Sequence, residues 1–222
     1  MKMDLDDRFL FVFSLICFLV LTLLVANNFL KEIDRQIFLF IFEASQGTLY
    51  CFMKYITYIG DALFVLPVTV VIMYFFYRVK EKTLSIYFGI MMCVSLVSTS
   101  ALKYLIKRPR PQVEVSVPDI HSIYSYPSGH TVGVFVLFLG FYVFFWILYK
   151  QETNISILSF SIIIAAVVSF SRIVLGHHYL TDVIGGVLLA ILVINSTKIA
   201  VKKDSNINNG SSFSLSEGTS DI

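Results

Sequence analysis

Residues 129–149 read GHTVGVFVLFLGFYVFFWILY, and this stretch decides the fold. As a helix it can span the hydrocarbon core of a bilayer, which takes roughly 20 apolar residues. Hydrophobic residues make up 57% of the chain and charged residues only 14%, far from the balance of a soluble domain. The chain is therefore predicted to be an integral membrane protein.

Five further apolar runs lie on either side of this stretch. They occupy residues 9–30, 57–77, 84–106, 155–175 and 179–201. The first run is too long for a signal peptide and follows an acidic leader, so we expect it to be retained as a membrane helix. Six crossings predict an all-α, polytopic bundle of six transmembrane helices that forms a single domain over residues 1–201.

Two segments fall outside the six runs. Residues 31–44 place apolar side chains at helical spacing against charged ones, a pattern typical of a helix lying in the membrane interface. An ordinary connecting helix explains this pattern equally well. Residues 202–222 are rich in Ser, Asn and Gly and have few apolar side chains, so we expect a disordered cytoplasmic tail.

Three polar clusters interrupt the apolar chain, each at the edge of a run. They are Lys103 through Arg110-Pro111, then Pro127-Ser128-Gly129-His130, then Ser171-Arg172 followed by His178 and Asp182. Because successive crossings alternate in direction, the predicted topology places all three clusters on the same side of the membrane. Ionisable residues near lipid are costly to hold, so this agreement in depth indicates a functional site.

The third cluster contains a histidine with a carboxylate partner. His178 and Asp182 are four residues apart, which places them on one face of a helix. The carboxylate can fix the imidazole tautomer and raise its basicity, as a nucleophilic or basic histidine requires. Taken by itself, the pair also fits an interfacial histidine with a capping partner, or a metal site. Lys103, Arg110 and Arg172 argue against a metal, because cations repel a bare metal ion and attract an oxyanion.

The second cluster has the form of a helix start, with Ser128 as a candidate cap. Backbone N–H groups at a helix N-terminus bind phosphate oxygens, and Gly129 lets an oxygen approach closely. His130 would then sit beside a bound phosphate, where it can protonate a leaving oxygen. The arginines of the other clusters suit phosphate through their planar forks, although residues 103–111 alone also fit a stop-transfer charge cluster.

Together the three clusters resemble the signature of the type 2 phosphatidic acid phosphatase (PAP2) superfamily, which also contains vanadium haloperoxidases. The matching positions are Lys103-x6-Arg110-Pro111, Pro127-Ser128-Gly129-His130 and Ser171-Arg172-x5-His178-x3-Asp182. This resemblance implies a PAP2-type helical core and a membrane lipid phosphatase. It implies neither a metal nor another cofactor.

The resemblance also implies a role for each matching residue. His178 would attack phosphorus and form a phosphohistidine, Asp182 would orient His178, and His130 would protonate the leaving group. The phosphoryl oxygens would be held by Lys103, Arg110, Ser128, Gly129 and Arg172. His177 and Arg108 fall outside the signature and are expected to be supporting or interfacial residues.

The expected partner is a phosphorylated membrane lipid, with no role for nucleic acid. Undecaprenyl diphosphate and lipid A 1-phosphate are favoured, with phosphatidylglycerol phosphate and phosphatidic acid as alternatives. Outside this class stand a vanadate-dependent, haloperoxidase-like enzyme and a protein that binds or transports lipid phosphates without turnover. His121, Tyr124 and Tyr126 precede the second cluster and would line the headgroup entrance or belong to an interfacial aromatic belt.

The distribution of Lys and Arg predicts the orientation. The side of the termini carries about nine of them and the opposite side about five, once Lys103, Arg110 and Arg172 are set aside. The positive-inside rule then places the termini in the cytoplasm. A compact chain without a large extra domain is typical of bacteria, so we expect a multi-pass protein of the bacterial cytoplasmic membrane with its site on the periplasmic or extracellular side.

Overall fold

The computed structural model describes the backbone of residues 5–112, 123–149 and 154–217, and the side chains of residues 7–112, 123–149 and 154–204. Within these residues the chain forms helices joined by short connections. They are α1 (Leu5–Ala26), α2 (Lys31–Ala44), α3 (Thr48–Ile56), a 3₁₀ turn (Thr57–Gly60), α4 (Ala62–Arg78), α5 (Lys82–Ile106), α6 (Gly129–Tyr149), α7 (Ile155–Val174) and α8 (Leu180–Glu217). His121 lies outside the described residues.

Five of the described helices are long and apolar enough to cross a membrane, namely α1, α5, α6, α7 and α8. A sixth span arises when α4 is joined to the segment Thr48–Gly60, from which it is bent by 43°. The bend falls at Asp61, whose carboxylate accepts a hydrogen bond from the Leu63 N–H at 2.9 Å and so caps α4. The all-α six-helix prediction is confirmed. Within the run predicted over 57–77, α4 begins only at Ala62, after the 3₁₀ turn, and α3 was not predicted.

The helix α6 lies at the centre of the bundle and packs against α5, α7 and α8, while α1 packs along α8. Three phenylalanines from α4, α5 and α6 form the middle of the core. The rings of Phe76, Phe88 and Phe144 are fully buried, with ring centroids 5.6–6.1 Å apart. Large apolar side chains are exposed on the outer faces of α1, α4, α5 and α7, as expected for helices surrounded by lipid.

The predicted helix over residues 31–44 is present with those bounds as α2, and it packs against α7 and α8. Its inner face buries Asp34 and Phe38, while Ile33 and Phe40 are exposed. Phe38 meets the Tyr179 ring edge-on, with centroids 5.8 Å apart. The inner face of α2 is therefore docked beside the connection between α7 and α8.

The helix α8 extends to Glu217, past residue 201, where the single domain is expected to end. The disordered tail from residue 202 stays a prediction. Lys202 is only 3% exposed and forms a salt bridge with Asp7 of α1, which Lys198 also contacts at 2.7 Å. The packed domain therefore includes Lys202, because two lysines of α8 share one carboxylate of α1.

Candidate active site

Side chains and backbone groups from all three polar clusters meet at one end of the bundle. Arg110 Nη1 donates to the carbonyl oxygen of His177 at 3.1 Å, which joins the first cluster to the third. The Ser128 N–H donates to the carbonyl oxygen of Asp182 at 3.0 Å, which joins the second cluster to the third. Residues far apart in sequence thus occupy one layer, as their positions at the ends of the apolar runs predict.

His178 and Asp182 form a buried pair at the start of α8. His178 Nδ1 lies 3.4 Å from Asp182 Oδ2, and both side chains are almost completely shielded from solvent. The same carboxylate oxygen accepts a hydrogen bond from the Tyr179 N–H at 2.9 Å, which holds it beside the imidazole. Because Nδ1 faces the carboxylate, Nε2 is the ring nitrogen turned away from Asp182.

The turn between α7 and α8 positions Arg172. Gly176 has φ of +76°, a left-handed conformation that glycine adopts without strain, and it reverses the chain after α7. This reversal brings His177 Nδ1 within hydrogen-bonding distance of Arg172 Nη2, while Arg172 Nη1 donates to Thr57 Oγ1 at 2.7 Å. His177 is buried against Arg172, and Thr57, which the sequence did not single out, holds the other side of the guanidinium.

The start of α6 is packed tightly against α8 and the bend before α4. Ser128 is fully buried, and its hydroxyl oxygen accepts a hydrogen bond from the Thr131 hydroxyl at 3.0 Å. His130 is half-buried in the first turn of α6 and lies against Gly60, where an added methyl group would be 3.0 Å from His130 Cδ2. The N-terminal N–H groups of α6, including that of Gly129, are thus held beside the third cluster.

Lys103 anchors the segment that leads into α6. Its ammonium group donates to the carbonyl oxygens of Tyr124 and Ser125, at 2.7 and 3.4 Å. The Ser125 N–H in turn donates to the carbonyl oxygen of Arg108 at 2.9 Å.

Tyr126 is buried between α1 and α8. Its side chain is completely buried, and its hydroxyl lies 2.8 Å from Thr22 Oγ1 of α1. Gly185 of α8 makes room for the ring, since a methyl group there would lie 2.5 Å from Tyr126 Cε2. Burial raises the pKa of the Tyr126 hydroxyl to about 12, which keeps it neutral. Both roles predicted for Tyr126, at the headgroup entrance or in an aromatic belt, are therefore wrong.

Arg108 occupies the centre of a buried charge network. One guanidinium nitrogen lies 2.6 Å from Asp182 Oδ1 and the other lies 2.6 Å from Asp34 Oδ2. Its guanidinium carbon stands 4.5 Å from the centroid of the Tyr179 ring. Burial acts to lower the pKa of Arg108, but the neighbouring carboxylates outweigh it, so the pKa is raised and the group is always charged.

The electrostatic balance of the site favours an anionic ligand. Four cations, Lys103, Arg108, Arg110 and Arg172, are accompanied by two buried carboxylates, Asp34 and Asp182. Among the described residues no group of three or more His, Cys, Asp or Glu side chains is arranged to hold a metal ion. Guanidinium and ammonium donors beside a helix N-terminus are suited to the oxygens of a phosphoryl group.

Two known proteins are similar to this chain over more than half of its length. The chain is 28% identical over 183 residues to phosphatidylglycerophosphatase B of Bacillus subtilis (strain 168), covering 79% of this chain and 87% of that protein. It is 27% identical over 142 residues to a putative undecaprenyl-diphosphatase of Escherichia coli (strain K12), covering 63% of this chain and 68% of that protein.

A solved structure extends the likeness to the fold. The crystal structure of a transmembrane PAP2 type phosphatidylglycerolphosphate phosphatase from Bacillus subtilis superposes with a TM-score of 0.76 and 26% identity, covering 87% of this chain and 96% of that one. Residues 84–205, which contain all three polar clusters, match the PAP2 superfamily. This multi-pass membrane protein, with its buried histidine and carboxylate among arginines, belongs to the PAP2 superfamily of phosphatases.

Proposed function

We propose that this protein removes phosphate from a membrane lipid by way of a phosphohistidine formed on His178, without a metal. The observation that carries the proposal is the buried pair of His178 and Asp182, which lies among the cations of a PAP2 member. In this mechanism Nε2 of His178 attacks phosphorus while Asp182, beside Nδ1, stabilises the positive charge that develops on the ring.

The remaining residues of the signature serve the phosphoryl group. Its oxygens gain negative charge in the transition state, and the held guanidinium groups of Arg110 and Arg172 stabilise that charge. Lys103, Ser128 and the Gly129 N–H supply further donors. His130 gives a proton to the leaving lipid oxygen as the P–O bond breaks. It then takes a proton from the water that cleaves the N–P bond, which releases inorganic phosphate and restores His178.

For the lipid itself, the leading candidates are phosphatidylglycerol phosphate and undecaprenyl diphosphate. The name of the Bacillus subtilis relative supports the first, over 87% of that protein's length, and the name of the Escherichia coli relative supports the second, over 68%. We place phosphatidylglycerol phosphate first because that likeness extends over more of both chains. Lipid A 1-phosphate and phosphatidic acid complete the candidate set.

The substrate proposal predicts phosphate release from purified protein in detergent containing EDTA. With phosphatidylglycerol phosphate, undecaprenyl diphosphate, lipid A 1-phosphate and phosphatidic acid assayed side by side, we expect one lipid to exceed the others by about tenfold in kcat/KM, or about 1.4 kcal/mol. No release from any of them would contradict the phosphatase proposal. Activity that EDTA abolishes and magnesium or zinc restores would instead support a metal-dependent reaction. Halide oxidation by vanadate-loaded protein would support the haloperoxidase alternative.

We also propose that the termini face the cytoplasm and the site faces outward. The support is the excess of Lys and Arg on the side of the termini. Ile123, which is 83% exposed and lies next to the residue that Lys103 binds, offers a labelling position on the site's side of the membrane.

The orientation predicts that a cysteine at Ile123 reacts with a membrane-impermeant thiol reagent added to intact cells. The background is a chain in which Cys17, Cys51 and Cys93 are replaced by alanine, and labelling is measured by mass shift. The matched control is a cysteine at Lys80, an exposed position in the turn between α4 and α5, which should react only after the cells are permeabilised. The reverse pattern would invert the proposed topology.

A further inference from the structure

The helix α2 contributes a buried carboxylate to the site, although it lies outside residues 84–205 that match the PAP2 superfamily. Asp34 is 1% exposed. Its Oδ1 accepts a hydrogen bond from the Thr181 N–H at 3.2 Å, and its Oδ2 accepts from the Thr181 hydroxyl and from Arg108. A carboxylate removed from water in this way is costly unless it is paired, and here it is paired with a single guanidinium.

Arg108 binds two carboxylates, that of Asp34 and that of Asp182, and only Asp182 also lies beside His178. Its Nη2 binds Asp34, and its Nη1 binds Oδ1 of Asp182 and the Thr181 hydroxyl. The other oxygen of Asp182, Oδ2, is the one beside His178. The guanidinium therefore holds one oxygen of Asp182 and leaves the second to the imidazole.

Arg108 lies closer to the Asp182 carboxylate than His178 does. The contact of the carboxylate with Arg108 is 2.6 Å long, whereas its contact with His178 is 3.4 Å long. An arginine fork can bind both oxygens of one carboxylate. Here Asp34 occupies the second arm of the fork, so Arg108 contacts Oδ1 of Asp182 and leaves Oδ2 beside His178.

We propose that Asp34 is a positioning residue for His178, acting through Arg108 and Asp182. Without Asp34, the second arm of the Arg108 fork would be available to Oδ2 of Asp182, so α2 holds the guanidinium that aligns Asp182. This inference rests on the function proposed for His178 above. It assigns a role in turnover to a residue that lies outside all three polar clusters.

The test compares Asp34→Asn with Glu32→Gln in the full-length protein, using the preferred lipid phosphate. Glu32 is on the same helix and its side chain is 65% exposed, so it provides a matched control that should keep wild-type kinetics. We expect Asp34→Asn to lower kcat by about tenfold or more while KM changes by less than about threefold. A kcat within about twofold of the wild type, or equal loss through KM, would overturn the proposal.

A double-variant comparison separates positioning from loss of folding. If Asp34 acts through Arg108, then Asp34→Asn combined with Arg108→Gln should lose no more kcat than the more damaging single variant, because both interrupt the same contact chain. Losses that multiply would overturn the proposal. Should Asp34→Asn not fold, Arg108→Gln is compared with the double variant, in which opposite charges are removed together. Equal kcat supports the proposal, and a further loss of about tenfold overturns it.

The same assays distinguish this inference from the proposed function. If wild-type protein forms no acid-labile phosphoenzyme and turns over no lipid phosphate, the phosphohistidine proposal has failed. If wild-type protein and Glu32→Gln are active and labelled while Asp34→Asn is equally active, only the role of Asp34 has failed.

Discussion

Replacement of His178 by alanine is expected to reduce phosphate release from the lipid substrate by about 10⁴-fold or more, while the protein stays folded. Alanine removes the nitrogen that would attack phosphorus, and no other group stands in the same relation to Asp182 among the described residues. Two measurements check this result: phosphate release under steady-state conditions, and trapping of an acid-labile phosphoenzyme after rapid mixing with labelled substrate. Size-exclusion profile and thermal unfolding in detergent confirm that the variant is folded.

The neighbouring histidine provides the control for this variant. The His177 ring contacts Arg172, so His177→Ala should weaken the hold on a phosphate-binding group and still form the phosphoenzyme. We expect it to lose about 10- to 100-fold in kcat/KM. Wild-type turnover in His178→Ala, or a phosphoenzyme that disappears only in His177→Ala, would remove the nucleophile assignment.

Replacement of Asp182 by asparagine is expected to lower kcat by about 10³- to 10⁴-fold, with KM changed by less than about threefold. Asp182 is completely buried and serves three partners, His178, Arg108 and the Tyr179 N–H. Asparagine keeps the size of the side chain but loses its charge. It also turns an N–H group toward either His178 or Arg108, each of which faces a carboxylate oxygen in the native site.

The same substitution farther along the helix serves as the control. Asp204 lies on α8, is partly exposed and is far from the turn that carries His178, so Asp204→Asn should keep wild-type turnover. Steady-state kinetics on both variants, after equal folding is verified, check the expectation. Loss of substrate affinity with unchanged kcat in Asp182→Asn would mean that the carboxylate supports binding and not chemistry.

The place of Arg110 in the site could be predicted from the sequence, whereas the central place of Arg108 could not. The spacing Lys103-x6-Arg110 correctly brings Arg110 to the third cluster, because helix ends at one membrane face must lie close together. Arg108 falls outside this spacing and was therefore expected to be a supporting or interfacial residue. Its central place depends on Asp34, 74 residues earlier in the chain, and no local periodicity reports a partner at that distance.

The bend at Asp61 was missed for a different reason. Hydropathy averages over many residues, and the segments before and after Asp61 are both apolar, so the pattern fits one straight run. The break comes from a single polar side chain that ends a 3₁₀ turn and caps the next helix. The contact between Thr57 and Arg172 follows from that break, since the 3₁₀ turn begins at Thr57 and packs against α7.

The first helix is fastened to the bundle at both of its ends. Near its start, Asp7 is locked to Lys198 and Lys202, and near its end Thr22 meets the hydroxyl of the buried Tyr126. These two attachments lie near opposite membrane faces, so they fix the position of α1 at both ends of its crossing. A change in the tilt of α1 would therefore have to displace Tyr126, which lies two residues before Ser128, or break one of these contacts.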